Sequence, residues 1–168
     1  MQADLFGDQL ISDLRSDWQK TIEHDGGHCP VCDRWGKIYG RNINKTMAVS
    51  LIWLASAQPD EEGWIDVPIK APRWVIRSNQ LPTLKWWGLV ERKPNDKESK
   101  NKHSGMWRAT EQGKQFARRD SVVPRRAFTY NDEVLGFSIE EIYIDQCFKD
   151  RFDYQEIMNL YFVSEGAE

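Results

Sequence analysis

The sequence predicts an α+β fold of short amphipathic helices interspersed with brief strands. Three observations predict it. Apolar residues recur at helical spacings of three and four in several segments, among them Ile11, Leu14, Trp18 and Ile22. Other stretches, such as Trp64 to Val67, are brief and alternate as strands do. Composition is that of a folded chain: 40% apolar, 29% charged and 8 Trp in 168 residues, whereas chains poor in aromatics cannot offset the entropy of ordering. That length suits one well-buried domain with structured extensions, divided as 1–44, 45–120 and 121–168.

Each element follows from local chemistry. Asp8 to Glu23 reads as an amphipathic helix that Gly26 and Gly27 end. His24 to Arg41 lacks periodicity and reads as an irregular knuckle. Asn44 can cap the next helix, whose apolar face is Met47, Leu51, Leu54 and Ala55, widened by Ile52 and Trp53, and which stops before Pro59. Asp60 to Gly63 is a turn before the Trp64 strand. Pro72 begins a short helix to about Arg77, and a second helical stretch carries Leu81, Leu84 and Leu89 past a terminating Gly88. Leu89 to Arg92 and Met106 to Ala109 read as strands joined by the polar loop Lys93 to Gly105, after which Thr110 opens a helix through Arg118. Beyond Pro124, Ala127 to Tyr130 and Val134 to Phe137 form a hairpin about Asn131 and Asp132. Ser138 with Glu141 has the spacing of a capping box and predicts an acidic helix over Ile139, Ile142 and Cys147. A final short helix is expected from Phe152 to Phe162.

Charge is unevenly placed. The chain has net charge -3, yet Lys70 to Arg126 carries 15 Lys and Arg against 5 Asp and Glu, a net of +10, and the remainder carries 8 against 21, a net of -13. A basic centre between acidic arms suits a polyanion, because cations that neutralise phosphates release condensed counterions. A dipolar, solvated surface is the competing reading. No long apolar run and no basic-then-apolar leader is seen, and the three Cys are odd in number, so the expectation is a cytoplasmic protein without membrane or disulfide framework.

The order helix, strand, helix, helix, strand, basic loop, strand, helix is that of a winged helix-turn-helix. The strings LKWWGLVERK and GMWRATEQGKQFA resemble the recognition-helix exit, wing and closing helix of MarR- or PadR-like regulators, over Lys45 to Arg119. The resemblance implies a winged core carrying an N-terminal helix and Cys knuckle and a C-terminal hairpin-plus-helix extension. It further implies that Asn79, Gln80, Thr83, Lys85 and Trp86 enter a major groove of double-stranded DNA. In the wing, Lys93, Lys97, Lys100, Lys102 and His103 would straddle the phosphate backbone. Solvated loop lysines on a protein-binding winged domain are the competing reading, to which Asp96 and Glu98 inside the wing add weight.

HDGGHCPVC places His24, His28, Cys29 and Cys32 together in the chain. CPVC has the form of a zinc knuckle, and these four residues are the candidate ligands of a structural zinc. It is half a signal, because no second Cys pair exists; distant Cys147 or His103 could complete the shell. Buried or free thiols, and a thioredoxin-type redox pair, remain open alternatives. Next to it, Arg34, Trp35, Lys37, Tyr39, Arg41 and Lys45 interleave cations with aromatics, as a nucleic-acid surface or a packed hairpin would.

No nucleophile elbow, phosphate loop, HExxH or dinucleotide fingerprint occurs, so no enzyme is expected. The sequence thus predicts a DNA-binding regulator or architectural protein, of the bacterial or phage kind that the resemblance implies, with a homodimer among its expected states. The alternative is a winged protein-interaction module whose acidic C-terminal arm docks on a partner protein, mimics DNA, or folds back on its own basic centre.

Overall fold

The computed structural model describes residues 11–95, 104–148 and 154–160, and over them the chain is mixed α+β with small antiparallel sheets. Its helices are α1 (Ile11–Glu23), α2 (Lys45–Ser56), α3 (Val67–Lys70), α4 (Arg73–Ser78), α5 (Glu111–Ala117) and α6 (Tyr154–Met158). Two 3-10 helices span Leu81–Trp87 and Ile144–Cys147. The strands are β1 (Gly27–His28), β2 (Trp35–Gly36), β3 (Tyr39–Asn42), β4 (Ile65–Asp66), β5 (Val90–Arg92), β6 (Met106–Ala109), β7 (Val123–Pro124), β8 (Arg126–Tyr130), β9 (Glu133–Phe137) and β10 (Glu141–Ile142). Two compact units form: Met1–Arg41 with Phe128–Gly136, and Asn42–Ala127 with Phe137–Glu168. They cut the chain differently from three consecutive segments, because the β8–β9 hairpin turns back to the N-terminal unit.

The second unit is built on α2. Asn44 opens the helix, its Oδ1 accepting the Met47 N–H at 3.1 Å, and no proline or glycine interrupts the twelve residues that follow. Met47, Ala48, Ser50, Leu51, Ile52, Trp53 and Leu54 are all buried, so α2 is apolar on nearly every side, as a central helix must be. The one hydroxyl among them, Ser50, donates to the Thr46 carbonyl at 2.7 Å. Val75, Leu81, Leu84, Trp87, Leu89, Val90, Trp107 and Phe116 close around it.

The turn after α2 is held by Asp60, whose carboxylate accepts N–H bonds from Trp64 at 2.8 Å and Glu62 at 3.0 Å; the Trp64 bond above all holds its pKa below the usual range. β4 then pairs antiparallel with β6, and β6 with β5, giving the order β4-β6-β5 with Ile65 opposite Trp107 and Val90 opposite Ala109. Between β4 and β5 lie α3, α4 and the 3-10 helix. Asp66 caps α3, Asn79 ends α4 in the left-handed region at φ 50, and Gly88 ends the 3-10 helix at φ 68.

In the first unit, α1 buries Ile22 alone and sets Trp18 edge-on to Tyr130, 6.0 Å between ring centres. Gly36 lies where a Cβ would be 2.7 Å from the Trp18 ring. β1 and β2 form a small hairpin inside the stretch expected to be irregular, and β3, β8 and β9 form a second sheet in that order. Asn131 and Asp132 both take positive φ, 51 and 65, the two-residue turn that matches strand twist.

One expected helix is a strand. Ser138 does not cap a helix with Glu141: its hydroxyl takes the Arg126 N–H at 3.0 Å and donates to the Glu140 carbonyl at 3.1 Å. Glu141 and Ile142 form β10, paired with Pro124 and Val123. Burial explains the choice, because Ile142 (4% exposed) joins Val123 (0%) in the core, whereas Ile139 is left in solvent. The 3-10 turn Ile144–Cys147 follows, and among the described residues of the last expected helix Tyr154–Met158 is helical.

Candidate nucleic-acid interface and cysteine knuckle

From Val67 to Val90 the chain contains no acidic residue, and Lys70, Arg73, Arg77 and Lys85 within it are exposed. Lys70 donates to the Gln58 carbonyl at 3.0 Å. Arg73 and Arg77 stand on α4 and were legible only as part of the basic block; the absence of acids about them is the signal that picks them out.

The five residues expected to face a groove are divided. Asn79 and Lys85 are exposed. Gln80 is half-buried, with its Oε1 accepting from Asn44 Nδ2 at 3.4 Å and its Nε2 pointing to the Ser78 carbonyl at 3.4 Å. Thr83 spends its hydroxyl on the Gln80 carbonyl at 2.6 Å. Trp86 packs against the core at 6.4 Å from Trp87, whose own indole N–H donates to the Pro124 carbonyl at 2.7 Å. Gln80, Thr83 and Trp86 thus hold the 3-10 helix in place as much as they present a surface.

In the loop between β5 and β6, Lys93 pairs with Glu62, and Lys97, Lys100, Lys102 and His103 lie outside the described residues. Other cations of the basic block are committed to internal partners. Arg92 lies over the Trp107 ring at 4.2 Å, where burial lowers its guanidinium pKa. Arg108 lies over Trp64 at 4.1 Å and bonds Glu91. Arg119 pairs with Asp145 and Arg125 with Glu140, each at 2.8 Å, so part of the acidic C-terminal arm rests on basic residues of its own unit. These pairs are exposed and individually weak.

At the knuckle the structure brings Cys29 and Cys32 together and leaves His24 and His28 off them. The hairpin closes with the Cys29 N–H on the Arg34 carbonyl and the Asp33 N–H on the Cys29 carbonyl, both at 2.9 Å. Backbone N–H groups of Val31 and Cys32 point at the Cys29 sulfur and lower its pKa, with a further bond from the Cys32 thiol. His28 turns its Nδ1 to the Asp33 carbonyl at 2.8 Å and its ring edge to Trp35, while His24 is exposed in the turn after α1. Among the described residues no three His, Cys, Asp or Glu side chains gather as a metal-binding group. Cys147 packs against the core of the second unit, where burial first and the Asp145 carboxylate second push its thiol up to about 12. Among the described residues no helix is long and apolar enough to cross a membrane.

No family model, curated protein or solved structure matches this chain. The functional reading therefore rests on the residues and their geometry.

Proposed function

We propose that the second unit is a winged helix-turn-helix that binds duplex DNA, as a transcription regulator or architectural protein. In this reading the 3-10 helix Leu81–Trp87 takes the recognition position and the β5–β6 loop is the wing. The strand order β4-β6-β5, with α3, α4 and the 3-10 helix between β4 and β5 and α5 after β6, supports the arrangement. The observation that carries the DNA reading is the acid-free segment from Val67 to Val90 with its exposed Lys70, Arg73, Arg77 and Lys85. Asn79, Lys85, Arg73 and Arg77 are exposed groups suited to base edges or phosphates.

The test is binding of the full chain to random duplex DNA across a salt series. Each phosphate-contacting cation removed should lower the slope of log affinity against log salt by about 1. An Arg73→Ala, Arg77→Ala double variant that binds with a shallower slope supports the reading; absence of binding by the unmodified chain at low salt sinks it.

A second reading has one specific observation in its favour. Ile69 on α3 (79% exposed) and Trp74 (37%) and Ile76 (48%) on α4 beside Arg73 are exposed apolar groups next to a cation, chemistry suited to an acidic protein partner. Binding that persists at high salt and is lost in Trp74→Ala would favour it over DNA.

A further inference from the structure

The CPVC turn holds two free thiols three residues apart, the donor number of half a tetrahedral site. Its two cysteines are free thiols on one tight hairpin, closed by the Cys29 N–H on the Arg34 carbonyl and the Asp33 N–H on the Cys29 carbonyl, and Asp33 takes the left-handed conformation (φ 58) in which the chain turns back after Cys32. Structural zinc takes four ligands and has no d-electron preference that would accept two. Among the described residues no third His, Cys, Asp or Glu gathers with the pair into a metal-binding group.

We propose that Cys29 and Cys32 bind zinc together with the same two residues of a second copy of this chain. A two-fold axis through the ion doubles the donor set in one step, which no single added ligand does. The surroundings suit a covering copy. A hollow of about 490 Å³ beside the two cysteines is lined by Ile11, Leu14, Arg15, Trp18 and Val31. Ile11 and Val31 are 67% and 74% exposed, an apolar rim that pairing would bury about the thiolates. As four Zn–S bonds form, four thiol protons pass to solvent, and the resulting centre has a net charge of -2, which an Arg15 from each copy offsets.

The experiment uses the full chain, stripped of metal with a chelator under reducing conditions and titrated with Zn²⁺ or, as a spectroscopic substitute, Co²⁺. The expected result is uptake of about one ion per two chains, the proportion that two donors per chain require of a four-coordinate ion. Tetrahedral thiolate absorption of cobalt and a doubling of mass by light scattering on metal addition accompany it. His24→Ala, His28→Ala and Cys147→Ser should leave this stoichiometry unchanged, and Cys29→Ser or Cys32→Ser should abolish it. One ion per chain in a monomer, no uptake, or loss of uptake in a histidine variant overturns the proposal. The stoichiometry is read on the unmodified chain, so it does not depend on any variant folding.

Discussion

Gly113 lies so close to Leu89 that an ideal Cβ on it would be 2.0 Å from the Leu89 carbonyl oxygen. The same oxygen accepts the Thr110 N–H at 3.0 Å, and the Thr110 hydroxyl takes the Gly113 N–H at 3.0 Å, so the start of α5 is sewn onto the entry to β5. No backbone atom there can yield without breaking the cap. Gly113→Ala should therefore cost about 3 kcal/mol or more, at the upper end of overpacking effects, seen as a lowered denaturant midpoint at constant slope.

Gly88 makes a useful contrast. Its φ of 68 is left-handed, but a Cβ would meet only the Gln112 side chain at 3.7 Å. Gly88→Ala should thus cost only the conformational term, about 1 kcal/mol, and Gly88→Asn less. If both alanine variants were equally destabilised, the close approach at Gly113 would not be the reason for its glycine.

Asn44 has two duties, capping α2 through Oδ1 and reaching Gln80 through Nδ2. Asn44→Asp keeps the first and loses the second, whereas Asn44→Ala loses both. The alanine variant should lose about 1 kcal/mol of stability and the aspartate variant a few tenths. Chemical denaturation of the pair separates the cap from the bridge to the 3-10 helix.

Asn44 also shows what was legible from the chain. Its cap, the apolar run of α2, the Asn131–Asp132 turn and the Gly88 stop are local chemistry, readable from neighbours in sequence. The strand at Glu141 was not, because Ser138 and Glu141 carry a complete local helix signal that Val123, eighteen positions upstream, overrides by burying Ile142. Site residues divide the same way. The proximity of Cys29 and Cys32 follows from CPVC itself, but the commitment of Gln80, Thr83 and Trp86 to packing depends on tertiary partners. Arg73 and Arg77 were visible as charges and not as a surface, since nothing local told exposed cations from those, like Arg92 and Arg108, that are stacked on tryptophans.

The three cysteines should differ in reactivity. Burial pushes the Cys147 thiol up to about 12, above its ordinary 9.0, while the Cys29 thiol is lowered. In metal-free native chain at neutral pH, alkylation should reach Cys29 first and Cys147 at least roughly tenfold more slowly. The sign for stability follows. A thiol whose pKa is raised on folding favours the folded state fully below its unfolded value, and that contribution is lost as pH rises from about 9 toward 12. Cys147→Ala should flatten this alkaline loss, measured as the denaturant midpoint against pH; an unchanged profile would place the alkaline transition elsewhere.

Trp87 links the packing to the proposed function. Its indole N–H donates to the Pro124 carbonyl at 2.7 Å, its ring is 5% exposed, and it ends the 3-10 helix that presents Lys85. Trp87→Phe removes the donor and leaves that carbonyl without it, so stability should fall by about 1–3 kcal/mol. No cation is removed, so if duplex DNA binding weakens, the salt slope should stay as it was. Lys85→Ala, in contrast, should leave stability within about 0.5 kcal/mol and lower the slope by about 1. Affinity loss without slope change in the first variant and slope change without stability loss in the second would assign positioning to Trp87 and phosphate contact to Lys85. The reverse pattern would remove the 3-10 helix from the interface.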